Sequence, residues 1–417
     1  MPGTVSQMSD KHPTIFLSAA EASGDRHGAK LIRALRRRLP QARIFGAAGP
    51  LMAAEGCEVV ADLTGQASMV GGPFLKLGYY YRMVRHLKAA IAQARPDVVV
   101  PIDSPALNWH LCKAAKAVRS KVMYYIAPQV WAWAPWRIKK VRRLTDAVAC
   151  ILPFEEEYFR QRGVNATFVG HPLFDDAPPR QADNDLLGAW GEGTWQIAVV
   201  PGSRRGEVAA HMPALLPVIA SLGQRYPAAR FVLTAHDDAA ARIIRGACEK
   251  HGVPLAAWAG GAGAANPQST GETSRVCLSV GQTPAVLASS HFGLVKSGTV
   301  TLEAAYFGLP MVIFYKTGPV MTTLHRMVGR CRPLVPTPYL SLVNILARQE
   351  LVTELMPWRG GPKRLEAAAC DMMSDLGHLC ELRQGLQDLV TPLLPHDGQQ
   401  ACDRAAAMVA DLAGQGG

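Results

Sequence analysis

The sequence predicts an α/β protein built from two successive domains, each with a parallel sheet covered by helices. Two observations carry this prediction. Short apolar runs rich in Val and Ile alternate with segments of helical period along most of the chain, as βα units do. Both halves also begin with a strand, a turn of small residues and a helix. Because 417 residues suffice for two domains of ordinary size, we expect two Rossmann-like domains.

The first half opens with a strand over residues 14–19, a turn over 21–25 and a helix over 26–38. The loop after the first parallel strand is where doubly wound folds place ligands. Ser23 and Gly24 are therefore candidates for substrate binding, although the turn lacks a dinucleotide GxGxxG pattern. Further strands are predicted over 42–49, 58–63, 96–103, 121–126 and 147–152.

Residues 96–103, PDVVVPID, contain a carboxylate near each end of a predicted strand. Asp103 follows the strand at its carboxyl end, where catalysis usually takes place in such folds. Asp97 lies near the start of the same strand.

Residues 69–92 combine Phe74, Leu75 and three tyrosines with a basic end that includes Arg82 and Lys88. A helix that lies in a lipid interface has this composition. A buried helix with a solvated end has it too, so the residues leave both interpretations open.

The second half repeats the layout with a strand over 196–200 and the turn PGSRRGE over 201–207. Arg204 in this turn is placed to bind a diphosphate, because a guanidinium can pair bidentately with phosphate oxygens. The alternative is an exposed arginine pair at the surface. A further strand is predicted over 230–235.

Residues 291–316 predict one complete βαβ unit, with a strand over 292–295, a helix over 300–307 and a strand over 311–315. Unpaired N–H groups at the helix start near Thr299 favour a phosphate. Glu303, one turn into the helix, is placed to accept hydrogen bonds from a ribose. The alternative is that Ser297 and Thr299 only cap the helix and that Glu303 is a surface charge. An extended stretch over 337–344 and a terminal helix over 405–412 follow.

The formal net charge is +11, which indicates an anionic partner such as nucleic acid, anionic lipid or a phosphorylated substrate. The basic residues follow no helix-turn-helix, zinc-finger or RNA-recognition pattern, so we expect no nucleic acid partner. Nine scattered cysteines without a CxxC pair indicate reduced core thiols in a cytoplasmic protein with no structural zinc.

No uninterrupted apolar run appears long enough to span a bilayer, and the first residues lack a hydrophobic signal core. Any membrane association is therefore expected to be peripheral.

Two α/β halves with phosphate-binding turns indicate GT-B, the two-domain architecture of many nucleotide-sugar glycosyltransferases. Eight segments also resemble, in order, the motif series of lipid-A-disaccharide synthase. They are AEASGD (from Ala20), PDVVVPID (from Pro96), IAPQVWAW (from Ile126), LPFEEEYF (from Leu152), VGHPL (from Val169), PGSRRGEV (from Pro201), KSGTVTLEAA (from Lys296) and TPYLSLVNILA (from Thr337). Each motif alone is weak, but eight in the right order across nearly the whole chain are highly specific.

The resemblance implies transfer of a 2,3-diacylglucosamine unit from its UDP donor to 2,3-diacylglucosamine 1-phosphate. UDP is released, the anomeric centre is inverted, and neither a metal nor a cofactor is used. Residues 1–178 would form an acceptor domain on the membrane side, and residues 179–417 a UDP-sugar domain whose terminal helix packs back on the first. The resemblance also implies an anionic surface at the inner membrane and pairing into a homodimer through the C-terminal portions.

The resemblance assigns roles by position. Arg204, Glu303 and Asn344 belong to the nucleotide-binding half, Ser297, Gly298 and Thr299 contact the diphosphate, and Asp97 matches a position needed for activity.

The chain departs from the family pattern where the catalytic base is expected. The family usually has Asp-x-Pro-Asp-Phe-Asn, whereas this chain has DSPALN from Asp103, with Ala106 in place of the second aspartate. An acidic residue that usually follows a Met-Gly has no counterpart, and Ala20 replaces a glycine. An inverting transfer needs a base, and Asp103, Glu21 and Asp25 are the candidates near strand ends.

Three interpretations follow from these residues. The first is a working synthase with a displaced base. The second is a related glycosyltransferase with another UDP-sugar or lipid acceptor. The third is a non-catalytic protein that binds UDP-sugar or membrane, which the retained Arg204, SGT turn and Glu303 disfavour because a scaffold needs no phosphate site.

Overall fold

The computed structural model describes residues 12–63, 73–132, 134–180, 186–260, 274–316, 338–358, 361–395 and 397–414. The chain divides into two compact units. The first unit comprises Met1–Asp176 and Leu393–Gly417, and the second comprises Ala177–Pro392.

The described elements alternate between strand and helix along most of the chain. The strands are β1 (Thr14–Ser18), β2 (Arg43–Ala47), β3 (Glu58–Ala61), β4 (Val98–Pro101), β5 (Lys121–Tyr125), β6 (Ala147–Cys150), β7 (Ala166–Phe168), β8 (Gln196–Val200), β9 (Arg230–Ala235), β10 (Ala256–Ala257), β11 (Val276–Val280), β12 (Phe292–Lys296), β13 (Met311–Phe314) and β14 (Glu354–Leu355). The helices are α1 (Ala22–Arg38), α2 (Pro50–Ala54), α3 (Pro73–Ala94), α4 (Pro105–Ala117), α5 (Ile138–Leu144), α6 (Pro153–Arg160), α7 (Leu186–Glu192), α8 (Arg205–Arg225), α9 (Asp238–Lys250), α10 (Thr283–Ser289), α11 (Val300–Tyr306), α12 (Leu342–Ala347), α13 (Pro362–Met373), α14 (Leu376–Val390) and α15 (Ala401–Gly414). Short 3-10 turns lie at Pro135–Arg137 and Thr391–Leu393.

Each unit contains one seven-stranded sheet, and neighbouring strands among the described residues run parallel. The first sheet has the order β3-β2-β1-β4-β5-β6-β7, and the second has β10-β11-β9-β8-β12-β13-β14. In both sheets the chain starts near the middle, moves to one edge and then returns to fill the other side. The direction in which successive strands are added to the sheet therefore reverses between β1 and β4 in the first sheet and between β8 and β12 in the second.

The strands of the first sheet are apolar because both of its faces are covered. Successive side chains point to opposite faces, so Ile15 and Leu17 join one buried cluster and Phe16 joins the other. The first cluster includes residues of α1 and α15, and the second includes residues of α3 and α4. This explains why the strands contain runs of Val and Ile rather than alternating polar residues.

The terminal helix α15 packs against α1 and forms part of the first unit. Its start is capped by Asp175, whose carboxylate accepts hydrogen bonds from the N–H groups of Ala401 at 2.7 Å and Cys402 at 3.2 Å. Gln400 donates its side-chain amide to the carbonyl oxygen of Asp175 at 2.7 Å. These bonds join the last helix to the segment at the end of residues 12–176.

Two predicted elements require correction. The helix α1 begins at Ala22, so the expected turn over 21–25 is largely the first turn of a helix. The stretch over 337–344 is not wholly extended, since α12 begins at Leu342 after Ser341, whose hydroxyl accepts from the N–H of Asn344 at 3.3 Å. This cap outweighs the apolar, partly β-branched sequence that looked extended. Residues 69–72 of the expected interfacial segment lie outside the described residues.

One described helix, α8, is long and apolar enough to cross a membrane by length and composition alone. Half of the relevant window is buried inside the second unit, where Met212, Leu215 and Ile219 belong to the core.

The first unit contains two histidines whose pKa values are lowered by burial. His171 is buried, and its Nδ1 accepts from the N–H of Leu173 at 3.2 Å. Burial, reinforced by the neighbouring His27, lowers the pKa of His171 to about 3. Burial and then the charges of Lys30 and Arg26 lower the pKa of His27 to about 4.

These two histidines should make the first unit sensitive to acid. Below the ordinary pKa of 6.5 the unfolded chain binds protons that the folded chain does not, so the stability present above pH 6.5 is lost as the pH falls towards about 4 and 3. Urea unfolding at several pH values should show this decline. His171→Asn, which keeps an acceptor near Leu173 but cannot take up a proton, should flatten it; an unchanged slope in that variant would contradict the assignment.

Candidate functional site

The reversal of strand order marks the expected ligand position in each unit, because ligands of open α/β sheets bind outside the carboxyl ends of the strands at such points. In the second unit these ends belong to β8 and β12, which pair with Val200 opposite Val295. The loop containing Arg204 follows β8, and the Ser297–Thr299 turn follows β12. The structure therefore brings together two motifs that are almost 100 residues apart in sequence.

The loop after β8 closes over a carboxylate. Gly202 has a φ of +130°, and a Cβ there would lie 2.9 Å from Oε2 of Glu207. Only glycine fits this conformation and this contact. Glu207, in the first turn of α8, also accepts from the N–H of Arg204 at 3.4 Å.

A partly buried ion pair links the two loops. Nζ of Lys296 donates to Oε1 of Glu207 at 2.9 Å, and each side chain is less than 15% exposed. Burial would raise the pKa of Glu207, but the hydrogen bond and charge of Lys296, together with Arg204, bring the pKa below its ordinary value. Lys296 also lies 5.2 Å from the centre of the Tyr315 ring.

Arg204 lies beside the Glu207–Lys296 pair and adds one positive charge where the strand order reverses. Arg204 is 3.8 Å from Oε1 of Glu207, and its side chain is 70% exposed. Two cations therefore share one carboxylate, and Arg204 keeps most of its guanidinium accessible to solvent. An anion such as a diphosphate suits this arrangement.

The turn after β12 is held by its own backbone. The N–H of Ser297 donates to the carbonyl of Phe314 at 2.9 Å. Gly298, with a φ of +151°, offers its carbonyl to the hydroxyl of Thr301 at 2.7 Å. Thr299 is exposed and Glu303 is half-buried in the first turn of α11, so the four predicted residues of this unit lie on one loop and the helix turn that follows it.

His211, which sequence reasoning missed, connects two strand ends. Its Nδ1 donates to the carbonyl of Pro201 at 2.7 Å, and its Nε2 accepts from the N–H of Lys316 at 3.1 Å. One ring nitrogen donates and the other accepts, which defines a neutral imidazole. Burial lowers the pKa of His211, although the Pro201 carbonyl opposes this.

Asn344 is buried inside the second unit. Its side chain is fully buried and makes four hydrogen bonds within the protein. The amide donates to Val352 O and Glu354 Oε2, and the carbonyl accepts from the N–H groups of Leu351 and Val352, at 2.8 to 3.0 Å. These bonds give Asn344 a structural role, since they join α12 to the segment that leads into β14, and its nucleotide contact stays a prediction.

In the first unit the reversal point lies between β1 and β4. Ser23 is exposed in the first turn of α1, beside the carboxyl end of β1. Gly24 is buried, and a Cβ there would meet the Cβ of Ala19 at 3.4 Å. Gly24 therefore allows close packing of α1 on the strand end, and Ser23 is the accessible member of the pair.

Asp25, considered above as a base, is instead a structural cap. It is 3% exposed, and its two oxygens accept from the N–H groups of Gly49, Leu51 and Met52, each at 3.0 Å. These bonds satisfy the start of α2. Glu21, by contrast, is exposed immediately before α1.

Asp103 lies at the carboxyl end of β4 in a constrained backbone. Asp103 and Ser104 both have positive φ values, +47° and +43°. The carbonyl of Asp103 accepts from Nδ2 of Asn108 at 2.6 Å and from the hydroxyl of Tyr124 at 2.7 Å. Consecutive left-handed residues are strained and persist only where the surroundings fix them, which is typical of functional sites.

Asp97 lies at the amino-terminal ends of the strands, opposite the end at which Asp103 lies. Its Oδ2 accepts from the N–H of Thr14 at 2.8 Å, and its carbonyl accepts from the N–H of Lys121 at 3.0 Å. Six residues of extended chain separate Asp97 from Asp103, roughly 20 Å. The two predicted catalytic carboxylates are therefore not brought together, and Asp97 ties the starts of β1 and β5 to β4.

A second residue missed by sequence reasoning, the carboxylate Glu155, fixes the loop after β5. Glu155 is fully buried and accepts from Nε1 of Trp131 at 2.8 Å and from the N–H groups of Ile151 and Leu152. Burial raises its pKa to about 7, against the effect of these donors. The position of this glutamate three residues after Leu152, at a helix start, was the available signal.

No group of three His, Cys, Asp or Glu side chains converges as metal ligands do within the described ranges.

The comparisons with known proteins agree on one family. A model of the lipid-A-disaccharide synthetase family matches residues 15–252 and 265–405. The lipid-A-disaccharide synthase of Geobacter metallireducens is 33% identical over 406 residues, which cover 96% of this chain and 97% of the relative. That of Anaeromyxobacter sp. (strain K) is 34% identical over 389 residues, covering 91% and 94%.

Solved structures confirm the predicted GT-B class of fold at low sequence identity. A protein described as a UDP-N-acetylglucosamine 2-epimerase of Listeria monocytogenes gives a TM-score of 0.58 at 12% identity, with 96% of each chain covered. The calicheamicin glycosyltransferase CalG4 gives 0.53 at 17% identity, covering 97% of this chain and 99% of that one.

Asn344→Ala should unfold the second unit more easily, because it leaves the N–H groups of Leu351 and Val352 without acceptors. We expect a loss of about 2 kcal/mol or more in the free energy of unfolding, measured with urea. Asn165→Ala, which removes one exposed hydrogen bond to the Asp146 carbonyl, is the control and should change stability by less than about 0.5 kcal/mol. Unchanged stability of Asn344→Ala with weakened UDP binding would return this residue to the ligand site.

Proposed function

The chain belongs to the lipid-A-disaccharide synthase family, and we propose that it joins UDP-2,3-diacylglucosamine to 2,3-diacylglucosamine 1-phosphate and releases UDP. The family match over most of the chain supports this activity. Binding of the UDP-sugar donor is supported by one observation: the loop containing Arg204 and the Ser297–Thr299 turn lie side by side where the strand order of the second sheet reverses.

We propose that the second unit binds the UDP-sugar. Arg204 and Lys296 supply positive charge to the diphosphate, while Ser297, Gly298 and Thr299 supply backbone and hydroxyl contacts. Glu303 accepts hydrogen bonds from the ribose. Glu207 and His211 act as positioning residues, since they hold the two loops through Lys296, Pro201 and Lys316. The positive charge also stabilises the UDP that departs in the reaction.

We propose that the first unit binds the acceptor and that Asp103 is the base. Ala106 cannot accept a proton, Asp25 is occupied by three N–H groups, and Asp97 lies at the other edge of the sheet. Asp103 would take the proton of the acceptor hydroxyl. The hydroxyl oxygen then bonds to the anomeric carbon with inversion, and the bond to UDP breaks with its electron pair on the leaving phosphate.

Ser23, exposed beside the end of β1, is proposed to contact the acceptor, with Gly24 allowing the close approach of α1. We also propose that the protein acts on the cytoplasmic side of the inner membrane, needs no metal ion for activity and forms a homodimer. Vesicle binding, activity in EDTA and light scattering test these three parts separately.

Arg204→Ala should weaken UDP binding about 10- to 100-fold, because a charged hydrogen bond to phosphate is worth about 1.5 to 3 kcal/mol. Isothermal titration with UDP measures this change. Arg205→Ala removes the adjacent exposed arginine and should alter the dissociation constant by no more than about twofold. Equal effects of the two substitutions would mean that only general charge, and not a placed guanidinium, attracts the nucleotide.

Asp103→Asn should reduce kcat by about 100- to 10,000-fold while UDP affinity and thermal stability stay close to those of the parent. Disaccharide formation, followed by mass spectrometry with EDTA present, reports the rate. Asp97→Asn is the comparison: it should lower the unfolding temperature, since Thr14 loses its charged acceptor, and folded protein should keep its turnover. Full activity of Asp103→Asn would exclude Asp103 as the base and direct the same test to Glu21.

A further inference from the structure

The turn that contains Asp103 has a conformation that its own residues do not favour. Asp103 and Ser104 have φ values of +47° and +43°, and neither is a glycine. Such dihedrals cost free energy at each residue and persist only where surrounding contacts fix them. Contacts from outside the turn must therefore prevent it from relaxing, and these contacts decide the direction of the Asp103 side chain.

The main chain of Asp103 is hydrogen-bonded on both sides. Its N–H donates to a main-chain carbonyl of β5 at 3.1 Å, which continues the pairing of β4 with β5 beyond the last residue of β4. Its carbonyl accepts from Nδ2 of Asn108 at 2.6 Å and from the hydroxyl of Tyr124 at 2.7 Å. Because both planar peptide groups that flank the Cα atom are fixed, the Cα–Cβ bond of Asp103 keeps one direction.

The two side chains that hold the Asp103 carbonyl come from different parts of the fold. Asn108 lies in the first turns of α4, the helix that the turn itself begins, and it also donates to the carbonyl of Ile102 at 3.1 Å. A contact within the same segment moves together with the turn. Tyr124 lies on β5, so its hydroxyl is a point outside the segment that it holds. The Tyr124 hydrogen bond therefore anchors the Asp103 carbonyl to the sheet.

The ring of Tyr124 is fixed by its packing. Tyr124 is fully buried in the cluster that the sheet forms with α3 and α4. The ring of Trp109 lies beside it, with the ring centres 5.8 Å apart and the ring planes inclined by 55°. Burial above all raises the pKa of Tyr124 well above its ordinary value of 10. The hydroxyl therefore keeps its proton at neutral pH and remains a hydrogen-bond donor.

We propose that Tyr124 is a positioning residue for Asp103: its hydroxyl fixes the Asp103 carbonyl and, through the main chain, the direction of the carboxylate. The inference rests on the proposed function, in which Asp103 is the base. A base must lie within hydrogen-bond reach of the proton that it takes, and small misplacements lower the rate steeply. Because Ala106 stands where a second aspartate is expected, Asp103 is the one carboxylate of the DSPALN segment, and its direction decides the rate.

The test is Tyr124→Phe, which removes the hydroxyl and keeps the ring beside Trp109. The Asp103 carbonyl loses its anchor to the sheet, so the turn relaxes part of the time and the carboxylate is misplaced. We expect kcat to fall about 10-fold, the effect of one lost hydrogen bond, in the disaccharide assay with EDTA present. The dissociation constant for UDP should stay within about twofold of the parent, since the second unit is proposed to bind the nucleotide.

The matched control is Tyr125→Phe, the same substitution one residue further along β5. Tyr125 is also fully buried, but its side chain belongs to the cluster on the opposite face of the sheet, and its hydroxyl has no hydrogen-bond partner within the described ranges. The substitution keeps every main-chain group of β5 and should leave kcat within about twofold of the parent. Equal losses of kcat in the two variants would overturn the proposal, because the hydroxyl that contacts Asp103 would then have no effect of its own.

A double variant separates positioning of the base from a general loss of structure. If Tyr124 acts through the Asp103 carboxylate, Tyr124→Phe should not lower kcat further once Asp103→Asn is present. A merely structural role predicts that the 10-fold loss is repeated in the double variant, and that result would overturn the proposal. An unchanged kcat of Tyr124→Phe alone would overturn it as well.

Amide hydrogen exchange of the peptide over residues 102–109, followed by mass spectrometry, measures the turn without the reaction. The N–H groups of Asp103 and Asn108, which donate to the β5 carbonyl at 3.1 Å and to the Ser104 carbonyl at 3.2 Å, should exchange about 10-fold faster in Tyr124→Phe than in the parent and Tyr125→Phe. Disaccharide formation by the parent, with exchange and kcat unchanged in Tyr124→Phe, would reject only the positioning role. Absence of disaccharide, with the faster exchange still seen in Tyr124→Phe, would reject only the proposed reaction.

Discussion

The geometry of parallel strands is the constraint on which the rest of this molecule depends. All strands of one sheet end at the same edge, and the chain must change direction once to fill both sides. At that point the loops after two neighbouring strands diverge, and their residues become adjacent whatever their separation in sequence. The Arg204 loop and the Ser297–Thr299 turn meet in this way in the second sheet, as do the start of α1 and the Asp103 turn in the first.

Buried polar side chains hold these loops in place. Glu207 and His211 join strand ends in the second unit, while Asn108 and Tyr124 clamp the carbonyl of Asp103 in the first. Each replaces a backbone partner that an irregular loop cannot provide for itself, and an unpaired buried group would be destabilising. Asp25 and Asn344 have the same physical role, since their side chains are occupied by hydrogen bonds within the protein.

Ala106, which stands in place of the second aspartate in the DSPALN segment, does not prevent the turn at the carboxyl end of β4 from forming. The strained turn at Asp103 and Ser104 is still built, and its clamping hydrogen bonds are present. A carboxylate therefore remains at the carboxyl end of β4, next to the point where the strand order reverses. Asp97 accepts hydrogen bonds from the N–H groups of Thr14 and Lys121, and so aligns the starts of β1 and β5 with β4 at the other end of the strands.

The sequence by itself determined the fold class, most strands and the family, because apolar periodicity and ordered motifs are local properties of the chain. It also located Arg204, the SGT turn and Asp103 correctly at strand ends. Only the tertiary structure decided which polar side chains form their hydrogen bonds within the protein, since Asn344, Asp25 and Asp97 have partners in segments 7 to 83 residues away. The same holds for the Glu207–Lys296 pair, because pairing between charges depends on distances in space that spacing in sequence does not specify.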